Sequence, residues 1–216
     1  MSKTIIISGG ALDDQFAGEV IRQNEGAYII GVDKGLEYLY RSKIEPNYIV
    51  GDFDSIDEEV INYYRNETNI PIREFNPIKD ATDTEIALRL AITLGSTEII
   101  ILGATGGRID HLWANVQCLT IAAKANVSAY ILDEKNKIMV IDKPWKFKKS
   151  EAYGKYISVF TLDGEVLSFT MKGTKWPLIH HTLKPYDSLT VSNQFNDEVI
   201  EINFLNGVLA VMQTRD

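Results

Sequence analysis

Short β-branched apolar runs recur along the first ~130 residues, separated by stretches of helical spacing. The runs fall at 4–8, 28–32, 48–50, 72–74, 98–102 and 128–132. Between them, Ile86, Leu90, Ile92 and Leu94 recur at helical intervals, and so do Leu112, Val116, Leu119 and Ala123. Near-continuous apolar runs suit strands buried on both faces, and strands alternating with helices predict a parallel sheet covered by helices. From about Asp142 the pattern changes. The segment 144–150 reads as a surface turn or linker. Beyond it, runs at 156–160, 166–170, 189–192, 199–204 and 208–212 are separated by turn signals, among them the hairpin dipeptides Asp163-Gly164 and Asn206-Gly207. Many strands without a helical pattern predict a small all-β sandwich or barrel. The expected fold is α/β, with a Rossmann-like parallel α/β/α domain at 1–142 and an all-β sandwich domain at 143–216.

Composition narrows the function. Of 216 residues, 45% are hydrophobic and 24% charged, which supports a buried core. The formal net charge is -8 and no long basic block occurs, so nucleic acid is not an expected partner. The single cysteine, Cys118, has no internal disulfide partner and lies in an apolar stretch, where it is expected to be buried. The apolar start at 5–7 is too short for a signal-peptide core, and no run approaches the ~20 residues that span a bilayer. No membrane partner is expected, and the chain reads as cytoplasmic.

Ligands of open α/β sheets bind beyond the carboxyl ends of the strands, and four predicted strand ends carry chemistry. Gly51-Asp52-Phe53-Asp54-Ser55 follows the third run; in extended backbone Asp52 and Asp54 would point to one side, a repulsive pair that a cation relieves. Ser55 and Glu58 fit a capping box, which leaves both aspartates unexplained. Lys79-Asp80-Ala81-Thr82-Asp83-Thr84-Glu85 opens a helix. Thr82 with Glu85 forms a second capping box, so Asp83 and Glu85 have a structural explanation that Asp80 lacks. Gly103-Ala104-Thr105-Gly106-Gly107-Arg108-Ile109-Asp110-His111 places glycines between strand and helix, where backbone amides approach phosphate, with Arg108 as a clamp. Gly31-Val32-Asp33-Lys34-Gly35 ends the second run, its aspartate suited to a ribose, a metal-bound water or a helix cap. Carboxylates gathered on one rim repel a polyphosphate unless Mg²⁺ is present. Neither a Walker A pattern nor a Cys/His zinc arrangement occurs.

At these four blocks, and on to Asn115, the sequence resembles the thiamine pyrophosphokinase family. The second half is similar more loosely, through 173–178 and 188–193. The resemblance implies a thiamine diphosphokinase that transfers diphosphate from ATP to the hydroxyl of thiamine and releases AMP, with Mg²⁺ as cofactor. It implies a homodimer with active sites between subunits. By position, Asp52, Asp54, Asp80 and Asp83 look like the acidic Mg²⁺–ATP site, and these with Asp110 are the candidate catalytic residues. Asp33, Lys34, Gly106, Gly107 and Arg108 are candidates for ATP. Asp110, His111, Asn115, Trp176, Ser192 and Asn193 are candidates for the substrate, with Trp176 placed to stack on a thiazolium or pyrimidine or to serve a core. Lys34 stands where many members have glycine, and Trp176 where many bacterial members have tyrosine. Asp80 or Asp110 would accept the hydroxyl proton. Competing readings are a pyrophosphokinase of the same fold for a hydroxymethylpterin, a Mg²⁺-dependent phosphatase built on Asp52-x-Asp54, and a nucleotide or thiamine sensor without turnover.

Overall fold

A computed structural model describes residues 2–74 and 81–216, and the chain divides into two compact units, Met1–Glu134 and Lys135–Asp216. In the first unit, β1 (Lys3–Ile7), α1 (Asp14–Gln23), β2 (Tyr28–Val32), α2 (Gly35–Arg41), β3 (Tyr48–Gly51), α3 (Glu58–Glu67), β4 (Ile72–Glu74), α4 (Asp83–Thr93), β5 (Glu98–Leu102), α5 (Ile109–Lys124) and β6 (Ser128–Leu132) alternate. The strands lie in the order β6-β5-β1-β2-β3-β4, and every pairing among them is parallel. The chain order reverses at β1, with Ile5 opposite Ile29 on one side and Ile100 on the other. Ile5, Ile6, Ile7, Ile99, Ile100 and Ile101 are all buried, as the unbroken apolar runs require of strands covered on both faces. The sheet and its helices match the α/β expectation.

Two helix starts separate a correct cap from a wrong one. Thr82 does cap α4, its hydroxyl accepting the Glu85 N–H at 3.2 Å. The predicted box at Ser55 is not formed. Asp57 caps α3 instead, accepting from the Glu59 N–H at 2.9 Å, so the helix starts at Glu58. A carboxylate nearer the helix takes the role that Ser55 and Glu58 were expected to share. α2 starts without any side-chain cap, and Asp33 lies outside it in a left-handed conformation (φ 43°).

In the second unit, β7 (Asn136–Ile141), β9 (Tyr156–Thr161), β12 (Asn193–Gln194) and β14 (Leu209–Thr214) pair in the order β12-β9-β14-β7. β8 (Trp145–Lys148), β10 (Val166–Lys172), β11 (Leu178–Leu183) and β13 (Val199–Asn203) form a separate sheet, β11-β10-β13-β8. All these pairings are antiparallel. Both sheets contribute to one core, with Ile141, Val159, Leu209 and Val211 from the first and Phe147, Phe169, Met171 and Ile202 from the second.

Several expectations are corrected here. The segment 144–150 holds β8, not a linker: Trp145 and Phe147 alternate with Lys146 and Lys148, and the strand pairs with Val199–Ile202 of β13. Residues 189–192 form no strand; the Val191 N–H donates to the Ser188 carbonyl, and Ser192 is left-handed (φ 57°). Asp163-Gly164 and Asn206-Gly207 are not hairpin turns, because each connects a strand of one sheet to a strand of the other. The two turns brace each other instead. Asp163 accepts the Val208 N–H, while Asn206 accepts the Leu167 N–H and donates to the Glu165 carbonyl. The strand at Asn136–Ile141 pairs with Leu209–Thr214 along its whole length, so the unit boundary falls before it and not at 142.

Candidate active site

The reversal of strand order at β1 leaves a crevice at the carboxyl ends of β1, β2 and β5. A cleft of about 630 Å³ occupies it, within the 300–1,000 Å³ range of small-molecule sites. Its walls are the Ser8–Leu12 turn after β1, Asp33–Gly35 after β2, the Gly103–Arg108 loop after β5, and Asp83 and Thr84 of α4. The two loops touch backbone to backbone. The Gly10 N–H donates to the Gly103 carbonyl at 2.7 Å and the Ala11 N–H to the Thr105 carbonyl at 3.0 Å. A Cβ on Gly103 would sit 2.3 Å from the Ser8 carbonyl oxygen, and its φ is 65°, so this position admits glycine alone. Ser8 Oγ and Thr84 Oγ1 share a buried hydrogen bond of 2.7 Å that ties the start of α4 to the end of β1.

Sequence reasoning assembled three of these walls and missed the first. The signal was present: Ser8-Gly9-Gly10 directly follows the first apolar run. Tyr38, Glu37 and Arg41 also line the cleft and carried no motif. Arg41 is held by Asp14 of α1, with bonds of 2.8 and 2.5 Å between exposed groups.

On one side of the cleft, Asp33, Asp52 and Asp83 gather, each offering one carboxylate oxygen within 4.8 Å of the others. Burial pushes the Asp33 carboxyl up to about 7, helped by the charge of Asp83 and a hydrogen bond with it. Hard carboxylate oxygens are the ligands Mg²⁺ prefers, and its octahedron sets them about 3 Å apart when adjacent and about 4 Å when opposite, so side chains gathered within 4.8 Å would have to close in slightly to share one ion. A proton on Asp33, like a bound cation, relieves the repulsion among these carboxylates.

Asp54 does not join this group. The expected extended backbone is absent, because Phe53 is left-handed (φ 60°) and turns the chain between the two aspartates. Asp54 is exposed, and its N–H reaches back to Asp52 Oδ1 at 3.4 Å. A left-handed non-glycine residue costs roughly 1–2 kcal/mol. Burying the Phe53 ring to 8% exposure returns roughly 1.5–3 kcal/mol, so the turn is sustained. Asp33 anchors it, Oδ1 accepting the Asp52 N–H at 3.2 Å and the Phe53 N–H at 3.4 Å. Asp80 lies outside the described residues.

Lys34, Gly106, Gly107, Arg108, His111 and Asn115 all line the cleft. Arg108 is occupied by Asp110, in bonds of 3.1 and 2.5 Å. This pairing holds the Asp110 carboxyl down to about 2, with the His111 N–H assisting. While the pair lasts, Asp110 is a weak proton acceptor at neutral pH. Asn115 is buried and donates to the Ala104 carbonyl at 3.1 Å, which steadies the glycine loop. In the second unit, Asn193 is 1% exposed and fully engaged. Its Oδ1 accepts the N–H groups of Trp176 and Gln194, and its Nδ2 donates to the Trp176 carbonyl at 2.7 Å. Trp176 is half exposed with Lys175 Nζ 4.6 Å from its ring centre, so it is not a core residue. Ser192 is exposed, its N–H held by Ser158 Oγ at 2.9 Å.

Carboxylates beside a glycine-walled crevice at a parallel sheet's carboxyl edge are an arrangement suited to enzymes that handle phosphate groups with a divalent cation. The thiamin pyrophosphokinase catalytic domain matches residues 22–131, and the thiamin pyrophosphokinase vitamin B1 binding domain matches 145–209. The thiamine pyrophosphokinase of Bacillus subtilis is 30% identical over 215 residues, covering 99% of this chain and 100% of that one. A crystal structure of the Bacillus subtilis thiamine pyrophosphokinase superposes with a TM-score of 0.87 at 28% identity, over 100% of both chains. That of Geobacillus thermodenitrificans thiamin pyrophosphokinase gives 0.84 at 29% identity, over 100% of this chain and 98% of the other. The chain belongs to the thiamine pyrophosphokinase family.

Proposed function

We propose that this enzyme of thiamine diphosphate formation takes the diphosphate from ATP, with Mg²⁺ held by Asp33, Asp52 and Asp83, and releases AMP. The observation that carries the reading is the three-carboxylate cluster at the rim of the glycine-walled cleft. When bound, Mg²⁺ supplies charge neutralisation and orientation of phosphate oxygens. Asp80, from the same acidic block as Asp83, and Asp54, from outside the three-carboxylate cluster, are further members of the proposed acidic set.

The protein's own groups account for the rest. Lys34 and Arg108, which line the same cleft, supply positive charge for a polyphosphate, and Gly106 and Gly107 permit its close approach. Arg108 exchanges Asp110 for phosphate oxygens. Asp110 is thereby freed to accept a proton or to orient thiamine with His111. Asn115 acts by holding the Ala104 carbonyl. Trp176, with Ser192 beside the Asn193 brace, offers an exposed aromatic face to a cationic thiazolium. In this reading the first unit is a Rossmann-like nucleotide domain and the second a β-sandwich for thiamine. It functions in the cytoplasm as a homodimer with the active site between subunits. Exposed Ile109 and Trp113, one turn apart on α5, support such an interface, and sedimentation equilibrium tests it. Among the described residues no helix is long and apolar enough to cross a membrane.

Phosphorus-31 NMR of the protein with ATP, Mg²⁺ and thiamine tests the reaction. AMP and thiamine diphosphate, both absent when thiamine or Mg²⁺ is withheld, are expected. ADP and inorganic phosphate formed regardless of thiamine would refute the reading.

A further inference from the structure

Between the two aspartates of the acidic turn stands a residue that no chemistry requires, Phe53. Its backbone is left-handed (φ 60°), a region unfavourable to residues with a Cβ. Its ring is 8% exposed and lies under the guanidinium of Arg65, whose carbon is 5.7 Å from the ring centre. Arg65 sits in the last turn of α3 and is itself fixed by Glu74 of β4 at 2.8 Å. Glu74 pairs directly with Gly51, the residue that ends β3 and begins the turn. Gly51 makes room for both partners: a Cβ there would lie 2.0 Å from Asp33 Oδ1 and 3.0 Å from Phe53 Cε1.

The consequence is geometric. The chain must pass from Gly51 at the end of β3 to α3, and with Phe53 left-handed it does so while the Asp52 and Phe53 N–H groups both donate to Asp33 Oδ1. With Phe53 extended, Asp54 would leave on the side of Asp52, and to reach α3 the Asp52–Phe53 peptide would have to turn away from Asp33. The choice between the two rests on the ring. Within the turn only the long 3.4 Å bond from the Asp54 N–H to Asp52 Oδ1 accompanies the left-handed form, whereas the ring gains burial against Gly51 and cover from Arg65. We infer that Phe53, seated under Arg65, is a positioning residue: its buried ring holds the turn that brings Asp52 to Asp33 and Asp83. This rests on the reading of those carboxylates as the divalent-cation site.

The test compares two side chains of equal size. Leucine and isoleucine have the same volume and hydrophobicity, but a β-branched residue is a far poorer occupant of the left-handed region. Mn²⁺ binding to the folded full-length protein is measured by electron paramagnetic resonance for wild type, Phe53→Leu, Phe53→Ile, Phe53→Gly and Asp52→Asn. Phe53→Leu is expected within about threefold of wild type. Phe53→Ile should bind about tenfold more weakly, a difference of about 1.4 kcal/mol. Phe53→Gly, free to be left-handed but without an anchor, should weaken by a similar factor. In turnover, the Mg²⁺ concentration for half-maximal rate should rise in parallel, while kcat at saturating Mg²⁺ recovers. Equal affinities for the leucine and isoleucine variants would overturn the inference, as would wild-type affinity in Phe53→Gly. If Phe53→Gly does not fold, the leucine and isoleucine pair alone decides. Wild-type Mn²⁺ binding in Asp52→Asn would overturn the cation site itself, a separate outcome.

Discussion

Asp33 shows how one carboxyl is shaped by its surroundings. An unfolded aspartate titrates near 3.8, whereas burial and the charge of Asp83 raise this one to about 7. Between those values the folded protein keeps a proton that the unfolded chain has lost. The contribution of Asp33 to stability is therefore full below pH ~4 and declines as pH rises through ~7. In EDTA, thermal melts from about pH 5 to 8 should show a falling midpoint, and Asp33→Asn should flatten this decline. Mg²⁺ should reverse it at the alkaline end by replacing the proton. A midpoint that falls equally in wild type and Asp33→Asn would remove Asp33 as the cause.

The elements show which sequence signals survive folding. Thr82 caps α4 as its spacing from Glu85 suggests, because both partners lie within one turn and nothing nearer competes. Ser55 had the same spacing from Glu58 and lost to Asp57. Thr82→Ala should cost about 1 kcal/mol in urea unfolding, since a cap is a local bond with a local worth; a loss under a few tenths would mean that tertiary contacts alone hold α4. Strands of the first unit were legible because burial on both faces leaves unbroken apolar runs, as in Ile99-Ile100-Ile101. Strands of the second unit were less so. β11 reads Leu178-Ile179-His180-His181-Thr182-Leu183, and its two histidines hide it. His180 is left-handed, breaking the register with β10 where Ser168 is left-handed too. The candidate site was legible wherever a charged motif followed an apolar run. It was not legible where geometry alone decided: Phe53 exchanges Asp54 for Asp33 in the cluster, and no local pattern announces a left-handed phenylalanine.

At the scale of the whole chain, a single cysteine makes a simple probe of opening. Cys118 is 8% exposed on α5, as its apolar setting suggested, and burial pushes its thiol up to about 12. Thiolate attacks reagents and thiol does not. Labelling by a disulfide reagent near pH 8 should thus be at least a hundredfold slower in the native protein than in urea, and rapid native labelling would show that α5 opens easily. The strand order carries a different consequence, one of timing. Of the strands of its sheet β1 leaves the ribosome before the others, yet it lies in the middle, with Ile7 paired to Gly31 on one side and Leu102 on the other. The flank toward β2 is available early. The other flank waits until β5 has emerged, and the Gly10 to Gly103 bond that closes the cleft waits with it. During synthesis the nascent sheet therefore carries an open edge on the side where the cleft's glycine loop will form, and an unpaired apolar edge of this kind is what a chaperone shields.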